Sequence, residues 1–529
     1  MSIRAKIFYK VFQMMYNRAY GTNPLEDPMA YQEKFLLTEL DHQAQTVYGQ
    51  QYGFSEIKSI ADYQQHVPLT TYKDYLPYYE RIKQGEPDIL FRDKQLAWLA
   101  TSAMTGDPKL IPYTDRLKQN LTIGPISVYL SYIAEDPREH LQCLSGKLLT
   151  LAADPELDHI NDLPVGWGSG VACVENAKSR FASKIFVPPV DILKEKDWHK
   201  RFWETSKQVI KQNVSMIGGV PAYIVSYLVK LNKEHKHQLG LGDKTIPEIW
   251  PKLKLVIWGG AQIGGYLPRL RELLGDQVDF YELYAASETG LIAHQQGNEP
   301  GMVPILGNNF MEFIPLSEWR AMEEEKGNYQ DFEFTCHTFQ DVKPGVEYVI
   351  VFTTSNGLYR YVIEDTVMFH KSDIPRFNWS GRLVWYSNVT LERVYYSEVE
   401  EAIQIAEDVL GCPISNFSYT ATHEPEPQYQ FVIESDAPVP EEVAKVVDEQ
   451  LKQVNYNYNY CRNAKMLKEP TIDVVPFGTY ESLETEHIKE MAGKIGQYKP
   501  PRFTDMETLE TIRSVGQKVE KLPGFKKKE

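Results

Sequence analysis

The sequence predicts an α/β fold: a large N-terminal α/β body with a parallel sheet and a β-hairpin region, plus a small α+β C-terminal lid domain. Three observations carry this. From about residue 96 to 370, short apolar runs alternate with helix-forming stretches, the pattern of parallel strands joined by crossover helices. From Glu347 the texture changes to alternating segments joined by "TSNGL", a hairpin turn. Beyond residue 385, an α-β-β-α-β order fits into roughly 90 residues. A chain of 529 residues is too long for one ordinary core. The boundary is drawn between a large domain, 1–385, and a small one, 386–529.

Each element has its own signal. Residues 1 to about 95 read as helices. In "MSIRAKIFYKVFQMMYNRAYG", Lys6, Lys10 and Arg18 interrupt the apolar residues. No run there reaches the ~18 apolar residues of a membrane span, and no small-residue cleavage site follows. An amphipathic helix packed on the body is expected. The clearest helix is "PLEDPMAYQEKFLLTELDHQAQTVYGQQYGF", with Pro28 at its start and Gly49 near its end. "KLLTLAA", "VSMIGGV", "LKLVIWGG" and "VDFYELYAASE" are expected strands. In the C-terminal unit, Ser397 and Glu400 are expected to form a capping box for a helix through Leu410. Val399, Ala402, Ile403, Ala406 and Leu410 line one face of that helix. Then come "ISNFSYTAT", "YQFVIES", the helix "EEVAKVVDEQLKQVN" and "TIDVVPFG", with "HEPEPQ" as an internal loop.

Composition narrows the function classes. Hydrophobic residues are 43% and charged residues 24%, the balance of a soluble globular protein. A net charge of −16 argues against general binding of nucleic acid or anionic membrane. A polyanion such as ATP could be held only in a local pocket of donors. Cys143, Cys173, Cys336, Cys412 and Cys461 have neither zinc-ligand nor redox-pair spacing, which suits reduced thiols and a cytoplasmic location.

Four segments could carry chemistry. In "TSAMTGDPK", Ser102, Thr105, Gly106 and Lys109 offer hydroxyl donors, a turn and a cation to a phosphate chain, although the spacing is not that of a Walker loop. As ordinary structure it is a polar loop. In "YELYAASETG", Glu288 stands at the tip of an apolar strand beside Ser287, where open α/β sheets bind ligands and a carboxylate can hold Mg²⁺. Alternatively Ser287 caps a helix whose dipole favours Glu288. In "GLYRYVIEDTV", Asp365 follows a hairpin strand and could accept both ribose hydroxyls; otherwise it is a surface carboxylate. In "GQYKPPRF", prolines would fix the direction of Lys499, or it is a solvated loop lysine.

Taken in order, these segments follow the plan of acyl-adenylate-forming enzymes. The chain resembles the Gretchen Hagen family of auxin-responsive acyl acid–amido synthetases, in its bacterial branch, over nearly its whole length. The resemblance rests on "TSAMTGDPKLIP", "IGGVP", "GGAQ", "YAASE", "FMEFIP", "TTSNGLYRY", "LKQVNYNYNYCR", "VVPFGTYESL" and "GQYKPPR". It implies activation of a carboxylic acid by ATP and Mg²⁺, then transfer of the acyl group to an amine such as an amino acid. Ser102, Thr105 and Lys109 would contact phosphates, and Ser287 and Glu288 the α-phosphate and Mg²⁺. Tyr284 would lie near adenine, and Asp365 would hold the ribose. Gly259, Gly260 and Ala261 would line the junction of the acyl and adenine pockets. Lys499 would arrive with the lid and offset phosphate charge.

The chain departs from the family at three places. Ala103 and Met104 replace Gly and Thr of T-S-G-T-T-G. Glu364 stands where Y-R-x-G-D has Gly. Leu391 begins a segment that is usually G-E-K. These changes touch the site rather than the scaffold, so two other readings stand beside the first. One is transfer to a thiol, coenzyme A or a carrier protein; the other is a catalytically impaired descendant that binds nucleotide or acyl ligand. "LPVGWGSGV" either borders the acid pocket or is a glycine-rich connector. The sequence leaves the oligomeric state open.

Overall fold

A computed structural model describes residues 3–21, 24–101, 109–179, 184–260, 263, 266–325, 328–371, 373–383, 386–435, 437–480, 482–483 and 503–520. The chain forms two compact units that part between residues 383 and 384.

The first unit opens with helices α1 (Ile3–Tyr20), α2 (Pro28–Gln43), α3 (Val47–Gln51), α4 (Ile60–His66) and α5 (Tyr72–Lys83). α1 is amphipathic. Ala5 and Phe12 join a core with Val128, Tyr132 and Ile133 of α6 (Asp115–Glu135), while Ile3, Ile7 and Met14 are exposed. Among the described residues, no helix is long and apolar enough to cross a membrane. The single helix expected to run to Gly49 is two. α2 ends at Gln43, and Thr46 caps α3 by accepting from the Gly49 N–H at 2.9 Å. A threonine hydroxyl competes for backbone donors in this way and starts a helix rather than continuing one.

Two sheets follow. β1 (Gln95–Thr101), β2 (Lys109–Thr114), β4 (Asp158–Ile160) and β5 (Leu163–Trp167) form a sheet of order β2-β1-β5-β4. The sequence reading had left all four unassigned. The larger sheet has 11 strands. Five are parallel: β6 (Phe186–Val187), β3 (Lys147–Leu151), β7 (Val214–Gly219), β8 (Leu255–Trp258) and β9 (Asp279–Ala286), in that spatial order. β3, β7, β8 and β9 are the four expected strands. All of β8 is buried, as a strand covered on both faces requires. The sheet continues antiparallel through β10 (Gly290–Gln295), β11 (Met302–Pro304), β15 (Arg376–Arg382), β14 (Tyr361–Lys371), β13 (Glu347–Thr354) and β12 (Asn309–Pro315).

Two of the quoted motifs prove to be architectural. Glu312 of "FMEFIP" and Arg360 of "TTSNGLYRY" form a buried two-pronged ion pair, with nitrogen–oxygen distances of 3.1 and 3.0 Å. Arg360 also donates to the carbonyls of Gln64 and Val67, tying the end of α4 to the sheet. The turn before Arg360 needs Gly357, at φ +92°, where a Cβ would also sit 2.8 Å from that of Leu90.

The second unit has the expected α-β-β-α-β order. β16 (Tyr386–Ser387) and β17 (Val394–Tyr395) lead into the helix Tyr396–Leu410. β18 (Asn416–Thr422), β19 (Gln428–Ser435) and β20 (Thr471–Pro476) form its sheet, with the helix Val443–Val454 between β19 and β20. Helices Tyr456–Asn463 and Met506–Glu520 are additional. Val399, Ala402, Ile403 and Ala406 are buried as expected, and Leu410 packs at the edge. The capping pair differs. Tyr395 is the N-cap, and Glu398 accepts from its N–H at 2.9 Å, leaving Ser397 inside the first turn. All five cysteines are free thiols, and burial raises the pKa of each.

Candidate functional site

The carboxyl ends of the parallel strands meet at one edge of the large sheet. Leu151, Gly219, Trp258 and Glu282 lie opposite one another across β3, β7, β8 and β9. Gly259 and Gly260 follow β8 directly. A Cβ on Gly259 would come within 2.6 Å of the Leu283 carbonyl, so the chain passes β9 only as glycine. Gly260 has φ +80° and faces Val220, the residue after β7. Ala261 lies outside the described residues.

β9 ends at Ala286, and Ser287, Glu288 and Thr289 turn the chain into β10. No helix starts at Ser287, so its helix-capping alternative is discarded. Glu288 is 4% exposed, and among the described residues it has no hydrogen-bond or ion-pair partner. "LPVGWGSGV" is neither connector nor loop. It forms β5 and the first turn of α7 (Gly168–Ala177), where a Cβ on Gly168 would sit 3.0 Å from the Ser287 hydroxyl. That stretch therefore borders the Ser287–Glu288 turn.

Asp365 lies within β14, not after it, directly opposite Arg382 of β15. Arg382 Nε donates to Asp365 Oδ1 at 2.6 Å, and Tyr284 donates its hydroxyl to Oδ2 at 2.7 Å. Arg382 also donates to the Ile363 carbonyl at 2.9 Å. All three side chains are largely buried. Burial, and then the Asp365 charge, push the Tyr284 phenol well above its usual pKa, so it stays a donor. Each oxygen of Asp365 keeps a second lone pair, and the carboxylate can still accept from a ligand's hydroxyls.

Lys109 opens β2. Its ammonium stands 5.7 Å from the centre of the Tyr72 ring, and the Tyr72 hydroxyl accepts from the Leu110 N–H at 2.8 Å. Lys109 Nζ lies 3.5 Å from Glu364 Oε2. The carboxylate of Glu364, which stands in place of the family's glycine, thus faces the lysine. The Glu364 backbone has φ +70°, a left-handed conformation that favours the family's glycine. Tyr361 is buried, and burial, then the charges of Glu288 and Glu364, push its phenol well above its usual pKa. The first unit therefore gathers a lysine, three carboxylates, an arginine and buried tyrosines around one strand edge.

Ser102, Ala103, Met104, Thr105 and Gly106, and likewise Lys499, lie outside the described residues. Leu391 carries no backbone strain. It packs at the edge of the second unit's core, and the left-handed residue is Arg393, φ +43°. Between them Glu392 is fully buried and accepts from Val389 N–H, Thr390 N–H and the Tyr429 hydroxyl. Arg382 and Tyr72 were not among the expected site residues, whereas Gly168 belongs to "LPVGWGSGV". Register across β14 and β15 brings Arg382 to Asp365, and neither it nor Tyr72 had a local sequence signal.

Comparison with known proteins adds three family matches. Residues 23–241 match the GH3 family N-terminal domain, 302–382 its central domain and 397–508 its C-terminal domain. A putative indole-3-acetic acid-amido synthetase GH3.9 of Arabidopsis thaliana is 24% identical, over 89% of this chain and 91% of that protein. The jasmonoyl–L-amino acid synthetase GH3.5 of Oryza sativa subsp. japonica is 22% identical, over 93% and 95%. Among solved structures, the acyl acid amido synthetase AtGH3.15 in complex with 2,4-DB superposes with a TM-score of 0.55 at 19% identity, covering 96% of each chain. A 2-hydroxyisobutyryl-CoA ligase in its thioesterification state gives 0.52 at 14% identity, covering 94% and 95%. Both structural likenesses bear on the fold.

Proposed function

The chain belongs to the GH3 family, and on that premise we propose that it is an ATP-dependent acyl acid–amido synthetase. The carboxylate of an acid attacks the α-phosphorus of ATP and displaces pyrophosphate, giving an acyl-adenylate. An amine, such as that of an amino acid, attacks the acyl carbon, and AMP leaves. A carboxylate is a poor electrophile, and adenylation gives it a leaving group.

The observation that carries this reading is the convergence, in one unit, of Lys109, Glu288 and the Tyr284–Asp365–Arg382 triad. Asp365 is already fixed by two donors, so its free lone pairs point at a defined place and suit the ribose hydroxyls. Lys109 is the point charge for the phosphates, with Ser102 and Thr105 as hydroxyl donors. Gly259 and Gly260, which keep side chains out of the strand edge, border adenine and the acid. Glu288, buried and without a partner among the described residues, would suit Mg²⁺, which takes one or two protein carboxylates. The bound ion supplies charge neutralisation for the departing pyrophosphate. Lys499 of the second unit offsets charge building on the α-phosphate. On this reading the first unit is the adenylating domain and the second the lid, which excludes water from the adenylate.

Product analysis tests it. The protein, ATP, Mg²⁺ and a panel of carboxylic acids, with each standard amino acid in turn, should give an amide and one AMP per amide. A thioester with coenzyme A, and no amide, would assign the acyl group to a thiol instead.

A further inference from the structure

We propose that Glu364 is a positioning residue for Lys109 and a built-in competitor of the polyphosphate for that lysine. This rests on the ATP-binding role assigned above. The two groups are 3.5 Å apart, with side-chain exposures of 10% for Lys109 and 23% for Glu364. A pair so far removed from water is weakly screened, and each charge matters to the other. Among the described residues, Lys109 has no other carboxylate partner and Glu364 no other cation.

The backbone at this contact is strained. Glu364 holds φ +70°, a conformation that costs a side-chain-bearing residue and costs glycine almost nothing. Its neighbour Asp365 is directed at Tyr284 and Arg382. Two successive carboxylates of β14 thus serve different donors of the same site, Glu364 facing Lys109 and Asp365 accepting from Tyr284 and Arg382, and the first does so from a strained position.

The consequence is electrostatic. An ammonium has three donors and can bridge a carboxylate and a phosphate. The carboxylate nevertheless stays negative when the phosphates arrive, and it repels them. Glu364 holds Lys109 within the site in the absence of nucleotide and weakens the grip on the phosphate chain when nucleotide binds. Its effect scales with phosphate charge and is absent for a ligand without phosphates.

Isothermal titration of the full-length protein with ATP and with adenosine reads this directly. Wild type is compared with E364Q, E364G, K109M and the K109M/E364Q double variant. E364Q should bind ATP about tenfold more tightly, equivalent to ~1.4 kcal/mol, with adenosine affinity unchanged. E364G, which also relieves the left-handed backbone, should tighten ATP in the same direction. In the K109M background the Gln substitution should keep the part of its effect that comes from direct repulsion and lose the part that comes from competition for the lysine. A merely structural role would move ATP and adenosine together. ATP binding that neither Glu364 variant strengthens overturns this proposal alone. ATP binding by none of the proteins overturns both it and the nucleotide-binding role beneath it.

Discussion

Single side chains decide what the site can hold, and Asp365 is the most constrained of them. Removing its carboxylate leaves Arg382 and Tyr284 buried without their shared acceptor. D365A is therefore expected to cost about 3–5 kcal/mol of stability by urea denaturation, the range for breaking a buried ion pair. D365N keeps the volume and one acceptor oxygen. It should fold, yet bind ATP at least about tenfold more weakly, since a hydrogen bond to a charged group contributes about 1.5–3 kcal/mol. Arg360 gives the structural contrast. R360A strands Glu312 in the interior and should destabilise the first unit by about 3–5 kcal/mol; a loss under 1 kcal/mol would mean that the pair is not buried as described. Residue type and place in a motif made Lys109, Glu288 and Asp365 candidates from the sequence, and the family resemblance added Tyr284. Arg382 was not readable, since its role comes from register across two strands. Nor was the strain at Glu364, which belongs to a backbone angle.

At the scale of elements, the sequence reading succeeded where burial is uniform. β8 is a continuous, wholly buried apolar run because both faces of a parallel sheet are covered, and β3 and β7 are largely so, whereas β9 is half-buried over most of its length. It failed where local hydrogen bonds decide. Thr46 splits the long helix, and Glu398 displaces the expected cap of the helix Tyr396–Leu410. In the β2-β1-β5-β4 sheet, β1–β2 and β4–β5 are local hairpins, and only β1 and β5 pair across a long interval that local patterns do not reveal. Glu398 also makes a pH prediction. Desolvation raises its pKa from 4.5 to about 7, and its Oε1 is buried with no hydrogen-bond partner. Between those values the folded state holds a proton that the unfolded chain has lost, so stability falls as pH rises. Glu282 of β9 carries the same shift, to about 7, from the same cause. Buried His294 and His423, whose pKa burial lowers from 6.5 to about 4, oppose this at lower pH, so Tm should decline between about pH 6.5 and 8, and E398Q with E282Q should flatten the decline. A Tm that rises through this window in wild type would contradict the assignment. At the strand edge, G259A should destabilise by about 1–3 kcal/mol, because its methyl would meet the Leu283 carbonyl.

At the scale of the molecule, two compact units divide the work that the proposed function requires. A net charge of −16 leaves a polyanion only local attraction, and the site supplies it with Lys109 and Arg382, set against Glu288, Glu364 and Asp365. Under the proposed function a second cation, Lys499, comes from the second unit, and K499A should leave the ATP dissociation constant unchanged while slowing formation of the adenylate in single-turnover assays. The central claim is that this chain activates carboxylic acids as adenylates, and exchange of labelled pyrophosphate into ATP measures that step without regard to the amine. With Mg²⁺ and a panel of aryl, indole and fatty acids, the account predicts exchange that depends on an acid and is lost in D365N. Protein that is folded and binds ATP, yet gives no acid-dependent exchange across the panel, would contradict it.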